Sequence, residues 1–523
     1  MAGSEIEKIR RLLREAGVSA EQIGDEPIVE PSGAGYFSAA EEGGLEKAID
    51  AIAEHDGDIT MFVGAGVSTE SELPSWGQLV RALLEGTDIA KELSDEDRDL
   101  WIQATISQGP LAAAAIARAH HSDELAFRKA LRAALYGGRS PEDFLPGALA
   151  GQIAWLKRTM GSRLCLATAN YDGLLEMALE EEGLNPVAYV QNREEQPSRA
   201  AVWHLHGRLL KGPTGKWMEV GRLVLTEGDY ADATHSRWPE DFVAARLENS
   251  LCVFVGLSMT DPNFIRWLYR YSNSQCQHLA IFVRQASVVV NNDVRTGLER
   301  SAAARWERAG VKPIWTNYFG EVAQFVHEVG LSISSGNPSG FLERAEERLE
   351  VARKNLMPAG EGEFIEAQTE LSGWLLEQVV VVRDVAKRLG VSLGAEEDLG
   401  LGLWVADHAR GIAELWGTSE QIWLDRRAIE ARPLHVDSRW VGVLAMIQGV
   451  AVEQDPAVYT TRWRFIRGIP LVVRTPGRSL VGALTLTSAT PLEDCLLSVQ
   501  RAPLGFLVAI DQVLGEAAEE FFV

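Results

Sequence analysis

At 523 residues the chain exceeds what one ordinary core supports, so two or three domains are expected. Its hydrophobic content of 46% with 24% charged residues is that of a water-soluble fold. A formal net charge of −24 excludes a broad surface for nucleic-acid backbone or acidic lipid, but not a small anion held by backbone N–H groups. Four cysteines, Cys165, Cys252, Cys276 and Cys495, form no C-x-x-C pair, so neither a zinc ribbon nor a disulfide framework is expected.

In chain order, residues 1–40 read as an N-terminal helix and extension. Ile6, Ile9, Leu12 and Leu13 share one side of that helix, without the apolar core of a signal peptide. No apolar run reaches membrane-spanning length, and the expected location is cytoplasmic. From 41 to 332 short apolar runs (DITMFVGAG, SRLCLATAN, LCVFVGLS, HLAIFVR) alternate with helical stretches, the pattern of a parallel sheet in an α/β domain. GVKPIWTNYFG then reads as an edge strand feeding a closing helix at Val322–Val329. The run ISSGNPSG has linker chemistry. Residues 341–398 read as two linker helices, with Phe341, Ala345, Leu349, Ala352 and Leu356 on one stripe and Leu371, Trp374, Leu375, Val382 and Val385 on the next. Core or subunit packing explains both stripes. Residues 399–523 are expected to run helix, helix, strand, strand, helix.

Four motifs lie at strand ends in the first large domain. In FVGAGVS, Gly64, Ala65, Gly66 and Ser68 suit a pyrophosphate, which needs close backbone approach and convergent N–H groups; the same residues also suit a plain tight turn. In TANYD, Asn170 and Asp172 sit where ligands bind open α/β sheets, or else cap the following helix. In VWHLHG, His206 at a strand end can take a proton from water or a hydroxyl, while His204 is better explained as structural. No third ligand follows at metal spacing, and no metal is expected. In FVGLSMTDPN, Gly256 and Ser258 end another buried strand; Asp261 is partly a cap, and Ser258 is the better ligand contact.

The ordered set of these motifs resembles the sirtuin superfamily, and within it the zinc-free bacterial branch of NAD-degrading defence effectors. The resemblance spans residues 44–330. It implies a Rossmann-like parallel sheet with Gly64, Ala65, Gly66 and Ser68 as the pyrophosphate loop. It further implies Asn170 and His206 as catalytic residues, Asp172 on the nicotinamide carboxamide, and Gly256 and Ser258 as further nucleotide contacts. Sirtuin deacylases carry a four-cysteine zinc module between the catalytic His and the Gly-Ser strand; here only Cys252 lies between His206 and Gly256. Water is then the natural acceptor, and NAD is expected as a substrate cleaved to nicotinamide and ADP-ribose. ADP-ribosyl transfer, deacylation and a non-catalytic NAD-responsive regulator stand as alternatives.

The C-terminal segment carries Gly-Ile-Pro-Leu at 468–471, a turn at Thr475–Ser479, VGALTLTS and Pro491, and resembles a GAF domain, an α+β sensor fold. Neither His408 nor His435 suits a haem or bilin. Trp404, Trp416, Trp423, Trp440 and Trp463 are expected to fill its core rather than line a ligand pocket. The resemblances together imply a regulated antiphage NAD hydrolase and a homo-oligomer. A phage-derived molecule, a nucleotide or a partner protein would act as trigger at residues 399–523.

Overall fold

In a computed structural model of the chain, the described residues run from 44 to 522, apart from short segments at 72, 122, 142–143, 191–199, 212–216, 222, 234–236, 272–276, 284–291, 317–318, 336–340, 395–396, 408–411, 435–437, 450, 455–461, 474–478, 500 and 503–504. The expected N-terminal helix, His408, His435, Cys276 and most of the 475–479 turn lie outside the described residues.

The β-rich apolar runs form a seven-stranded, wholly parallel sheet. Its strands are β1 (Ile59–Val63), β2 (Leu164–Thr168), β3 (Val187–Tyr189), β4 (Ala201–His204), β7 (Leu251–Val255), β8 (His278–Val283) and β9 (Val311–Thr316). Between β4 and β7 a two-stranded antiparallel ribbon, β5 (Arg208–Lys211) and β6 (Trp217–Val220), stands apart. The sheet order is β3-β4-β2-β1-β7-β8-β9. The chain therefore leaves β1 toward one side and returns to the other with β7, which makes the carboxyl ends of β1 and β7 the topological switch point, where open α/β sheets bind ligands.

Burial on both faces explains the uninterrupted apolar runs. All five residues of β1 are buried. Ile59, Met61 and Val63 pack on one face with helices Gly44–Ala53, Ala148–Met160 and Phe319–Ser335. Phe62 points to the other face, stacked on Phe254 at 5.1 Å and edge-on to Phe264 at 5.4 Å. Burying such a ring stabilises by about 1.5–3 kcal/mol. The closing helix, expected at Val322–Val329, extends over Phe319–Ser335, and β9 is the edge strand foreseen. The β1–β2 connection holds a helical module with its own core, including Leu83, Ile102, Ala114, Phe127 and Leu131.

The C-terminal order differs from expectation. The described residues of 399–523 contain six strands, β10 (Leu399–Asp407), β11 (Ile412–Thr418), β12 (Glu430–Pro433), β13 (Val452–Gln454), β14 (Phe465–Val473) and β15 (Ser479–Ser488), in an antiparallel sheet ordered β12-β11-β10-β15-β14-β13. LGLGLWVAD is thus a central strand, not a helix. Each glycine in a helix interior costs roughly 0.8–1.0 kcal/mol relative to alanine. In the sheet Gly400 and Gly402 instead make room for Thr487 and Thr485, whose hydroxyls a Cβ would approach to 2.7 and 2.8 Å. The β14–β15 hairpin pairs as the alternation foretold. Helix Glu361–Arg388, read as a linker, shares a core with this sheet through Leu371, Leu375 and Val382. Trp404 and Trp416 are buried, and Trp423 packs against that core.

Candidate active site

Three loops meet at the switch point. Gly64 continues the ladder from β1, its N–H donating to the Val255 carbonyl at 3.0 Å, and Gly66 N–H donates to the Gly256 carbonyl at 2.9 Å. Gly256 has φ 64°, a left-handed conformation that glycine adopts without strain. A Cβ on Gly64 would lie 2.5 Å from the Gly256 oxygen, and one on Gly66 2.8 Å from the Gly256 Cα. The missing side chains therefore let the β1 and β7 loops touch backbone to backbone. Val67 N–H and Ser68 N–H bond within the turn, at 3.1 and 3.0 Å. Of the five amides from Gly64 to Ser68, only that of Ala65 has no acceptor among the described residues.

The β2 loop docks on this turn through side chains. Asn170 Nδ2 donates to the Gly64 carbonyl at 3.1 Å and to Ser68 Oγ at 3.0 Å. Ser68 Oγ donates in turn to Asp172 Oδ2 at 2.9 Å. Asp172 Oδ1 accepts from Leu174 N–H at 3.1 Å, just ahead of helix Leu174–Glu181, whose N-cap is Gly173. Burial pushes the Asp172 carboxyl above its ordinary range, opposed by its bonds to Leu174 and Ser68. One hydrogen-bonded unit thus joins Gly64, Ser68, Asn170 and Asp172.

Beneath it, His204 at the end of β4 is fully buried. Its Nδ1 lies 3.0 Å from the Asn170 carbonyl and its Nε2 2.7 Å from Glu176 Oε1. Both partners offer acceptor oxygens, so an N–H on either ring nitrogen finds a partner, and the ring is held between the Asn170 carbonyl and Glu176. Burial pushes the Glu176 carboxyl up, yet the charge and hydrogen bond of His204, with Arg208 behind, hold it below its usual range. His204 fixes the backbone of Asn170 and does not face a ligand.

His206 follows two residues later, before Gly207 at φ 79°. The ring is buried, and Nε2 has no hydrogen-bond partner among the described residues. It faces Asp261 Oδ2 at 3.4 Å, and Tyr230 presents its ring edge-on, centroids 5.6 Å apart. Burial lowers the His206 pKa, opposed by Asp261. A pocket of ≈ 10 Å³ adjoins the ring, between Val224, Glu240, Arg266 and Trp267. That is about the room one water needs. Met259, between Ser258 and Asp261, has φ 54° and is buried. A left-handed non-glycine residue costs about 1–2 kcal/mol, the kind of strain that collects at functional loops.

The candidate residues therefore divide. Gly64, Gly66, Ser68, Asn170, Asp172 and Gly256 are in mutual contact, with Ala65 inside their turn. His206 lies on the neighbouring strand end and is linked to Asp261. Ser258 is exposed, and among the described residues its hydroxyl bonds Thr260, at 2.6 Å, with no hydrogen bond to the turn. Sequence reasoning missed Tyr230 and Glu176, and it read Asp261 as partly a cap, with Ser258 the better ligand contact. Asp261 Oδ1 does cap helix Pro262–Tyr271, accepting from Asn263 and Phe264 N–H at 2.8 and 3.1 Å. No group of three or more His, Cys, Asp or Glu among the described residues is placed to hold a metal ion.

Comparison with known proteins adds a family likeness. The family described as SIR2-like domain matches residues 165–314. No curated protein matches the chain. One solved structure of a Sir2 enzyme is 12% identical, with 57% of this chain and 100% of that chain covered and a TM-score of 0.26. A Sir2 homologue solved in complex with NAD is 18% identical, with 56% and 94% covered and a TM-score of 0.30. The stretch of this chain that is similar to the SIR2-like family carries Asn170, Asp172, His206 and Asp261, whereas the Gly64–Ser68 turn lies ahead of it.

Proposed function

We propose that residues 41–332 hydrolyse NAD to nicotinamide and ADP-ribose. The observation that carries this reading is the single hydrogen-bonded unit of Gly64, Ser68, Asn170 and Asp172 at the switch point, with an imidazole base at the next strand end. The Ala65 N–H is the amide available to the pyrophosphate, at the start of a short helical turn. Asp172 takes the carboxamide of nicotinamide on its remaining lone pairs. Asn170 Nδ2 is engaged, so its Oδ1 is the atom that orients the attacking water. As the C1′–N bond breaks, its electron pair passes to the nicotinamide ring nitrogen. The water oxygen bonds C1′, and the water proton goes to His206 and then to solvent.

Residues 399–523, joined through the helices of 341–398, form the regulatory half of this proposal, a GAF-like sensor in a homo-oligomeric, cytoplasmic antiphage effector whose NAD depletion is triggered there. An unrestrained NAD hydrolase would kill its own cell, which is why a second folded half suits the chemistry. The test incubates the protein with NAD and follows nicotinamide and ADP-ribose by chromatography, beside Asn170→Ala and His206→Ala. In parallel, NAD is measured in cells overexpressing each form. Each substitution is expected to cut turnover by about 10²–10⁴. Wild type that consumes no NAD either in vitro or in cells refutes the reading, and ADP-ribosylated protein without free ADP-ribose replaces hydrolysis by transfer.

A further inference from the structure

The geometry points to Asp261, held in place by Tyr230, as the positioning residue that orients His206 and balances its charge when it takes a proton. This inference rests on the proposed hydrolysis for its consequence, but its geometry stands apart from it. Asp261 is clamped from three directions. Oδ1 accepts two backbone N–H groups at the start of helix Pro262–Tyr271, and Oδ2 accepts the Tyr230 hydroxyl at 2.7 Å. The remaining approach to Oδ2 points to His206 Nε2 at 3.4 Å, and that nitrogen is buried with no other partner among the described residues. A buried N–H left unpaired is destabilising, and the obvious relief is a bond to this oxygen that tightens with substrate in place.

The consequence is a choice of tautomer. With Nε2–H turned toward Asp261, Nδ1 is the lone pair left for the substrate. The proton leaves water or a ribose hydroxyl for Nδ1, and the imidazolium so formed keeps Nε2–H against the carboxylate. No other acid faces Nε2 within ion-pair distance among the described residues. Glu240 and Arg266 line the adjoining pocket but are paired with each other at 3.5 Å. Tyr230, edge-on to the ring, has a hydroxyl that burial and nearby carboxylates push far above the ordinary range, and it stays neutral. The Asp261 charge is therefore what favours protonated His206, against the burial that disfavours it.

The test uses Asp261→Asn, which keeps an oxygen to cap the helix, and Tyr230→Phe, which removes only the clamp. The full-length protein is labelled with ¹³C-histidine, the His206 signal is assigned by its loss in His206→Gln, and its titration is followed by NMR. Asp261→Asn is expected to lower the His206 midpoint by about one pH unit, as loss of an adjacent opposite charge does. Tyr230→Phe is expected to shift the midpoint less. On NAD cleavage, Asp261→Asn is expected to reduce kcat about 10–100-fold with KM within about twofold, and to add nothing in a His206→Gln background. An unmoved His206 midpoint in Asp261→Asn overturns the inference whether or not NAD is cleaved. A fully additive loss in the double variant overturns it too. A shifted midpoint in a protein that cleaves no NAD upholds the His206–Asp261 coupling while refuting the hydrolase reading.

Discussion

Replacing Gly66 by alanine separates two reasons for a glycine at this turn. If the residue were needed only for backbone freedom, alanine would be tolerated, because Gly66 is not among the positive-φ residues. Alanine would then even stabilise by about 0.4–1 kcal/mol through the unfolded chain. The structure predicts the reverse. The new Cβ meets the Gly256 Cα at 2.8 Å, its oxygen at 3.0 Å and its carbonyl carbon at 3.3 Å, all of them backbone atoms that cannot swing aside. Overpacking of this kind costs about 1–3 kcal/mol, so the net loss is about 1–2 kcal/mol, or roughly 2–8 °C in Tm. Relief comes only by parting the β1 and β7 loops, which stretches the Gly66–Gly256 hydrogen bond and displaces the Ala65 amide. NAD binding is accordingly expected to weaken at least about tenfold, a loss of about 1.4 kcal/mol. Urea unfolding followed by tryptophan fluorescence and calorimetric NAD titration measure the two effects. Gly77→Ala is the control, since a Cβ there meets nothing within 4 Å and stability should rise by about 0.5 kcal/mol. Gly66→Ala with unchanged stability and unchanged NAD affinity would refute the loop-contact argument.

Other sites give predictions of defined sign. Asp172→Asn should stabilise the fold near neutral pH while impairing NAD turnover. Burial raises this acid's pKa in the folded state, so its destabilising effect is absent at low pH and grows as pH rises through the folded value; equal stability curves for both proteins from pH 4 to 8 would contradict it. Glu176→Gln should flatten the acid limb of the stability curve. The Glu176 pKa is lowered on folding, so its contribution is present above about 4.5 and is lost as pH falls through the folded value. The same substitution leaves His204 with a weaker partner and should cost about 1.5–3 kcal/mol at pH 7, read from urea midpoints. His278, fully buried and accepting from Cys252 N–H at 3.1 Å, is held by burial down to about 4 from 6.5. Protonation then favours the unfolded chain, so stability should fall by about 3 kcal/mol as pH drops from 6.5 to 4. That slope should diminish in His278→Gln, and an identical slope in the variant would reject His278 as its source.

The parallel sheet was legible because its strands are buried on both faces. Phe62, Val253 and Ile281 sit in runs with no polar alternation to confuse with a helix stripe. The C-terminal sheet was not. In LGLGLWVAD all nine residues are buried, so periodicity is silent, and only the two glycines opposite threonine hydroxyls mark the strand, a relation that exists only across chain segments 83–87 residues apart. The candidate site was legible to the same degree that its contacts were local. Asn170 and Asp172 belong to one loop, and their meeting with Gly64 and Ser68 follows from the adjacency of β1 and β2, which buried parallel strands imply. Ser258 shows the limit of that logic. A strand-end position does not decide which way a residue turns, and a left-handed residue at Met259 accompanies a hydroxyl directed to Thr260 and not toward the turn.

Asp261 shows why a cap and a proposed positioning role cannot be told apart by motif alone. An aspartate before proline at a helix start satisfies every requirement of a cap with one oxygen, and here Oδ1 does that through two amides. The second oxygen carries no sequence signature, because its partners, Tyr230 and His206, come from 31 and 55 positions earlier and meet it only in the folded chain. The cap supplies the rigidity that a positioning carboxylate needs: an oxygen pinned by two backbone bonds leaves the other fixed in direction. A substitution that keeps the cap but removes the charge therefore isolates what Oδ2 does, which is why asparagine, and not alanine, is the informative replacement.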